Sequence, residues 1–178
     1  MRSFVLAIAA MLLAASCTDD PEPIEPKPSD SPNPSAAPPE MPREAKANTP
    51  TGAANFVAYW VAVSNFAART GNTKELRQIS HRDCEGCRTY IDLFEDTYAA
   101  GGYFKGSEWR LSEVEVKPGD SEHLVFAHVD APTGTFKKSS RSEVQRGNQE
   151  NSDLAFGVSF SKGEWRLTQL GLKSEVVK

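Results

Sequence analysis

The chain has 178 residues, 20 of them Lys or Arg and 24 Asp or Glu, for a formal net charge of −4, and 39% are hydrophobic. That length holds one ordinary domain with its own core. The mild acidity excludes an electrostatic footprint for nucleic acid and a polybasic patch for anionic lipid, so neither is expected as a partner. The charge is uneven: residues 18–50 carry seven acids and three bases, whereas residues 51–178 carry 17 acids against 16 bases.

The N-terminus reads as an export signal. Arg2 supplies a minimal positive start, and residues 4–15 form an unbroken run of twelve apolar side chains. Twelve are too few to span a bilayer, which takes about 20, but they suit a secretory core segment. Ala14, Ala15 and Ser16 then precede Cys17, which matches a bacterial lipobox, where lipid joins the thiol and cleavage falls before it. Ala14 departs from that pattern by standing where Leu is commonest. Residues 1–17 are therefore expected to be a lipoprotein signal peptide ending at lipidated Cys17, with plain secretion as the alternative. Two acyl chains suffice for stable anchoring, so the expected location is the cell membrane, on its extracytoplasmic face.

Residues 18–50 hold ten of the twelve prolines, mixed with Asp, Glu, Ser and Ala and with few large apolar side chains. Such a segment cannot offset its ordering entropy, and it is expected to be a disordered tether. Residues 51–178 are expected to fold, with helices first and strands after, which is an α+β rather than a βαβ order. Thr51 follows Pro50 as a helix cap, and Phe56, Tyr59, Trp60, Val63, Phe66 and Ala67 recur at the spacing of a one-faced helix that Gly71 stops. A short helix over 73–80 with Thr73 as cap comes next. A third helix over about 83–100 buries Cys87, Tyr90, Ile91, Phe94 and Tyr98 and ends at Gly101 and Gly102.

Two strand segments answer each other. The run from Lys105 through Trp109 and Leu111 is echoed by Lys162, Gly163, Glu164, Trp165, Arg166 and Leu167. Both then shift phase alike, with apolar residues at Val114 and Val116 in one and at Leu170 and Leu172 in the other. A strand whose apolar set moves by one residue needs a bulge or a change of face, so a strongly curved sheet is expected. Residues 124–130 pair back through Pro118, Gly119 and Asp120. Residues 154–160 form a hairpin through Ser161, Lys162 and Gly163, and the polar stretch 132–152 reads as a long loop or ragged edge strand.

Three helices followed by a bent antiparallel sheet that ends in the hairpin Phe160, Ser161, Lys162, Gly163, Glu164, Trp165 resemble the NTF2-like (cystatin-like) α+β fold, a cone of helices on a curved sheet. With the lipobox, the tether, Pro39 to Pro42, Thr49 to Ala53 and the Cys84-Glu85-Gly86-Cys87 motif, the chain is similar to a family of small actinobacterial lipoproteins sharing a domain of unknown function. The resemblance spans most of residues 39–172. It implies an envelope location and that fold, and it carries over no catalytic residue.

Cys84 and Cys87 open the third helix. In an oxidising compartment such a pair is read first as a disulfide, with a redox pair activated by the helix N-terminus and a metal site with His81 as rivals. The ring is small, so the bond contributes only about 2 kcal/mol. A second half-site for zinc is missing, and no cofactor or metal is expected. Tyr59, Trp60, Tyr90, Tyr98, Trp109, His128 and Trp165 are the candidates for lining a cleft between helices and sheet, with plain core packing as the competing reading. No carboxylate pair has diagnostic spacing. A non-catalytic binding or assembly module engaging an envelope protein or small ligand is the leading expectation. An NTF2-like pocket enzyme (isomerase or hydrolase) and a thiol-disulfide oxidoreductase are the rivals.

Overall fold

The computed structural model describes residues 37–176, so the expected leader, Cys17 and tether residues 18–36 lie outside the described residues. The first long helix, α1 (Pro50–Thr70), starts at Thr49, whose extended backbone lets Oγ1 accept the Gly52 amide at 3.0 Å. This cap lies two residues before the expected Thr51. Pro50 occupies the first helical position, where a missing amide costs nothing. Gly71 ends the helix with φ 73° and returns its amide to the Ala67 carbonyl, as the sequence suggested. Two further helices follow, α2 (Lys74–Ile79) and α3 (Glu85–Ala99). Thr73 precedes α2 but makes no side-chain cap; its hydroxyl donates to Glu95 of α3.

The expected single buried face of α1 widens. Val57, Val61 and Ser64 are buried together with Phe56, Tyr59, Trp60, Val63, Phe66 and Ala67. A helix covered on most sides sits inside a core rather than on a surface. Trp60, fully buried, marks the centre, with its indole donating to Ser80 Oγ at 2.9 Å and its ring edge-on to Phe156.

Among the described residues seven strands follow: β1 (Tyr103–Lys105), β2 (Arg110–Lys117), β3 (His123–Ala131), β4 (Thr135–Lys137), β5 (Gln145–Arg146), β6 (Glu150–Ser161) and β7 (Glu164–Leu172). The long ones form an open antiparallel sheet in the order β2-β3-β6-β7, which does not close into a barrel. Strands β1, β4 and β5 make a separate small sheet. Two of its strands fall in the stretch read as loop or ragged edge. Phe136 anchors them by stacking on Phe104 at 6.2 Å, and a single aromatic leaves no alternation to read. A last turn, α4 (Lys173–Val176), places the Lys173 ammonium 4.8 Å from the centre of the Phe126 ring on the outer sheet face.

Both phase shifts are bulges. Ser112 pairs with His128 but Glu115 pairs with Phe126, so Glu113 and Val114 together oppose Ala127. Val158 pairs with Leu167 but Gly157 pairs with Gln169, which leaves Thr168 as an extra residue. The β6–β7 hairpin turns through Lys162 (φ 55°) and Gly163 (φ 83°), the left-handed pair that a two-residue primed turn requires.

The domain starts earlier than residue 51. Arg43–Lys46 form a 3-10 turn, Ala45 is fully buried, Met41 packs on the core, and the Trp165 indole donates to the Ala47 carbonyl at 3.2 Å. The composition that reads as tether hides this because only two side chains dock. Their partner is a tryptophan whose N–H needs an acceptor when buried. A chain beginning at Thr51 should therefore unfold at lower urea than one beginning at Ala37. The loss of the Thr49 cap and of the Trp165 hydrogen bond amounts to about 2 kcal/mol or more, and coincident unfolding curves would return residues 41–49 to the tether.

Candidate functional site

Helix α3 presents Tyr90, Leu93 and Phe94 at helical-neighbour spacing, so the three line one side of a cleft. One lobe, about 220 Å³, lies between α3, α1 and the small sheet, with Ser64, Ala68, Phe94, Phe104 and Phe136 in its walls. A second lobe, about 290 Å³, runs between the start of α3 and strands β6 and β7, lined by Thr89, Leu154, Leu170, Leu172 and Glu175. Tyr90, Trp109, Ala131 and Glu150 belong to both lobes. Tyr90 and Trp109 form the divider, edge to face at 84° with ring centres 4.9 Å apart.

Trp109 is held through its backbone. Asn65 Nδ2 donates to the Trp109 carbonyl and Asn65 Oδ1 accepts the Trp109 amide, both at 2.9 Å, as a neighbouring strand would. Sequence reasoning passed over Asn65; the only signal was a polar side chain in a helix with little exposed surface. Burial raises the Tyr90 phenol above its ordinary pKa, and the Glu150 charge adds to that, so the hydroxyl stays protonated.

Of the seven aromatic and histidine candidates, only Tyr90 and Trp109 meet in this cleft. Trp60 is core. Tyr59 is buried with its hydroxyl donating to Glu75 Oε1 at 3.0 Å, and burial, followed by that bond, pushes its pKa up to about 12. Tyr98 packs beneath Gly71 and donates to the Ala68 carbonyl at 2.8 Å. Trp165 stacks on Phe56 and forms the floor of a wider groove of about 560 Å³ beside Met41 and Ala45, whose rim charges, Lys46, Glu75, Glu164 and Arg166, balance one another. His128 is on the opposite side of the sheet. In β3 it is in phase with Leu124 and Phe126, while Val125, Ala127 and Val129 point to the core.

The His128 ring Nδ1 is 2.9 Å from Asp153 Oδ1. That hydrogen bond is the largest cause of a pKa raised above 6.5; desolvation opposes it, and the charges of Asp153, Asp130 and Glu113 each add a smaller upward effect. A raised histidine favours the folded state fully below the unfolded pKa of 6.5, and the contribution is lost as pH rises through the higher folded value. In an NMR titration His128 should therefore show a midpoint above 6.5, which Asp153→Asn moves down; an unmoved midpoint contradicts the pairing.

Cys84 and Cys87 are at bonding distance, with sulfurs 1.96 Å apart, and both are buried. Cys84 is also the N-cap of α3, its Sγ accepting the Cys87 amide at 3.2 Å. Gly86 explains the dipeptide between them. A Cβ there would stand 2.2 Å from the Leu170 carbonyl oxygen, so only glycine lets α3 seat on β7. The motif thus docks a helix against a strand. Among the described residues no group of three His, Cys, Asp or Glu side chains is placed to hold a metal, and no helix is long and apolar enough to cross a membrane. The double variant Cys84→Ala/Cys87→Ala should lose about 2 kcal/mol of unfolding free energy. The intact bond should resist dithiothreitol until denaturant is added, whereas rapid reduction of the native protein would mark an accessible, reactive pair.

Comparison with solved structures finds thirteen matching chains. One is the intermembrane space region of the chloroplast protein ARC6, with TM-score 0.51 and 15% identity, covering 71% of this chain and 97% of that one. At that identity the likeness concerns the fold alone. No curated protein matches. The profile of a family of unknown function, DUF6318, matches residues 25–171, which takes in the first lobe of the cleft, most of the second, the cysteine pair and the docked segment before α1. The chain therefore belongs to the DUF6318 family.

Proposed function

We propose that this chain is a lipid-anchored binding module on the extracytoplasmic face of the bacterial cell membrane. In this reading its helices and curved sheet are an NTF2-like arrangement, and the α3 cleft engages an envelope protein or small ligand. The observation that carries the binding reading is the Tyr90–Trp109 divider, two half-buried aromatic rings with an apolar lobe on either side. Concave, mostly apolar surface with few polar groups is the general character of ligand sites. Anchoring rests on the apolar run 4–15 and the small residues before Cys17.

The pocket-enzyme reading draws less support. General acid–base chemistry needs a polar pair set inside an apolar pocket. Here the acids of the cleft, Glu150 and Glu175, are exposed, and Tyr90 is held protonated. The oxidoreductase reading is weakened by burial, since thiol–disulfide exchange needs a thiolate to reach a sulfur and both sulfurs are covered.

Two measurements on the full chain in its native host test the proposal. Cys17→Ser should abolish fatty-acyl labelling and move the protein from the membrane to the soluble fraction. A photo-crosslinking residue at Leu93, on the cleft wall, should form an adduct that Trp109→Ala removes. Retained membrane association in Cys17→Ser, or an adduct indifferent to Trp109, would count against the anchor and the cleft respectively.

A further inference from the structure

Resting on the reading of the α3 cleft as a binding surface, we propose that its occupant is a basic peptide segment. An arginine or lysine side chain sits at the Tyr90–Trp109–Glu150 corner, and apolar neighbours fill the lobes on either side. The two charged residues that line the cleft are both acidic. Glu150 borders both lobes, Glu175 closes the far end of the second, and no Lys or Arg lines either. Neither carboxylate has an ion-pair partner among the described residues. Helix α3 adds the exposed acids Asp92 and Asp96 on its Leu93 flank, and the Asp92 charge also acts on Arg77.

Aromatic faces beside a free carboxylate are a cation site. The ring quadrupole attracts the cation at the face, the carboxylate supplies the opposite charge, and neither needs its partner buried. An edge-to-face pair consumes one face of one ring, so the Tyr90–Trp109 corner keeps ring surface free. The same charges disfavour other occupants. A fatty chain would suit the Leu and Phe walls, but an anionic headgroup would meet Glu150 and Glu175. A sugar would use Tyr90 or Trp109 for stacking and wall groups such as Asn148 and Ser152 for hydrogen bonds, but it would leave the Leu154, Leu170, Phe104 and Phe136 surfaces uncovered. A small ammonium would fill the corner and leave both lobes to water. Only an elongated ligand that is cationic in the middle and apolar at both ends uses the whole cleft, and a short extended peptide has that shape.

The test is an NMR titration of the full chain carrying Cys17→Ser, which keeps it free of lipid. The probes are acetyl-Leu-Arg-Leu-amide, its citrulline counterpart and tetramethylammonium chloride. The arginine peptide should shift the Trp109 indole and the Leu93 amide saturably. The citrulline peptide, of the same shape without the charge, should bind about fivefold or more weakly. Glu150→Gln should bring the arginine peptide down by a similar factor and leave the citrulline peptide unchanged. Glu150 is exposed, so this variant should fold; Trp109→Phe is the second variant and should weaken the arginine peptide alone. Equal affinity of the two peptides would overturn the cationic occupant and leave the binding reading standing. Tetramethylammonium matching the arginine peptide would make this a small-cation site and overturn the peptide. Silence from every probe at millimolar concentration would overturn the basic-peptide occupant, while the Leu93 crosslink decides the binding reading separately.

Discussion

Each outer strand of the four-stranded sheet carries one residue more than its neighbour can pair. The cause lies in α1, which is buried on most sides and must be wrapped. A flat sheet covers one face of a helix, whereas a bulge bends its strand and increases its twist. The bulges at Glu113–Val114 in β2 and at Thr168 in β7 curl both edges toward the helical layer. They also reset the side-chain parity, so that Val116 after the first and Leu170 after the second still face inward beside Leu111 and Leu167. Without the extra residue the following apolar set would point to solvent.

The cleft inherits its geometry from the β7 bulge. Leu170 reaches the inner face only because Thr168 has been left unpaired, and the Leu170 carbonyl is where Gly86 brings the start of α3 to rest. The disulfide and the Cys84 cap fix the first turn of that helix at the same place. One turn later comes Tyr90, whose ring meets Trp109. Trp109 precedes β2 and is bound by Asn65 of α1 as if by a missing strand. The divider of the cleft is therefore set from two directions, by β7 through α3 and by α1 through Asn65. Such support suits a preformed surface.

Much of this was legible in the residues. The helical periods, the Gly71 stop, the hairpin at Lys162–Gly163 and both phase shifts are local patterns, each contained within about ten positions. What the sequence concealed depends on a distant partner. Met41 and Ala45 belong to the core because Trp165, far along the chain, offers them a surface and takes the Ala47 carbonyl. Strands β4 and β5 are too short for alternation and exist because Phe104 is there for Phe136. In the site, aromatic identity nominated seven residues, but identity does not record which face of an element a residue occupies. His128 has the parity of Leu124 and Phe126, which put it on the outer face, and Trp60 was taken up by the centre of the core. Gly86 stands between the two cysteines with no local reason in the sequence, and its reason is a carbonyl in β7.

The long strand β6 connects the two ends of the molecule that matter most. Its first residue, Glu150, borders the cleft, and near its other end Phe160 packs edge-on against Trp165, where the segment before α1 is docked. Strand β6 runs Glu150–Ser161, and at about 3.3 Å per residue the two sites stand on the order of 35 Å apart. The segment before α1 is thus docked at the hairpin end, and the cleft lies toward the opposite end of β6. Met41, Ala45 and the Trp165 hydrogen bond rest on Phe56 and the interior of the sheet. Ala45, Phe56 and Trp165 belong to the same hydrophobic cluster against which Tyr90 and Trp109 pack, so the docked segment and the cleft share one core.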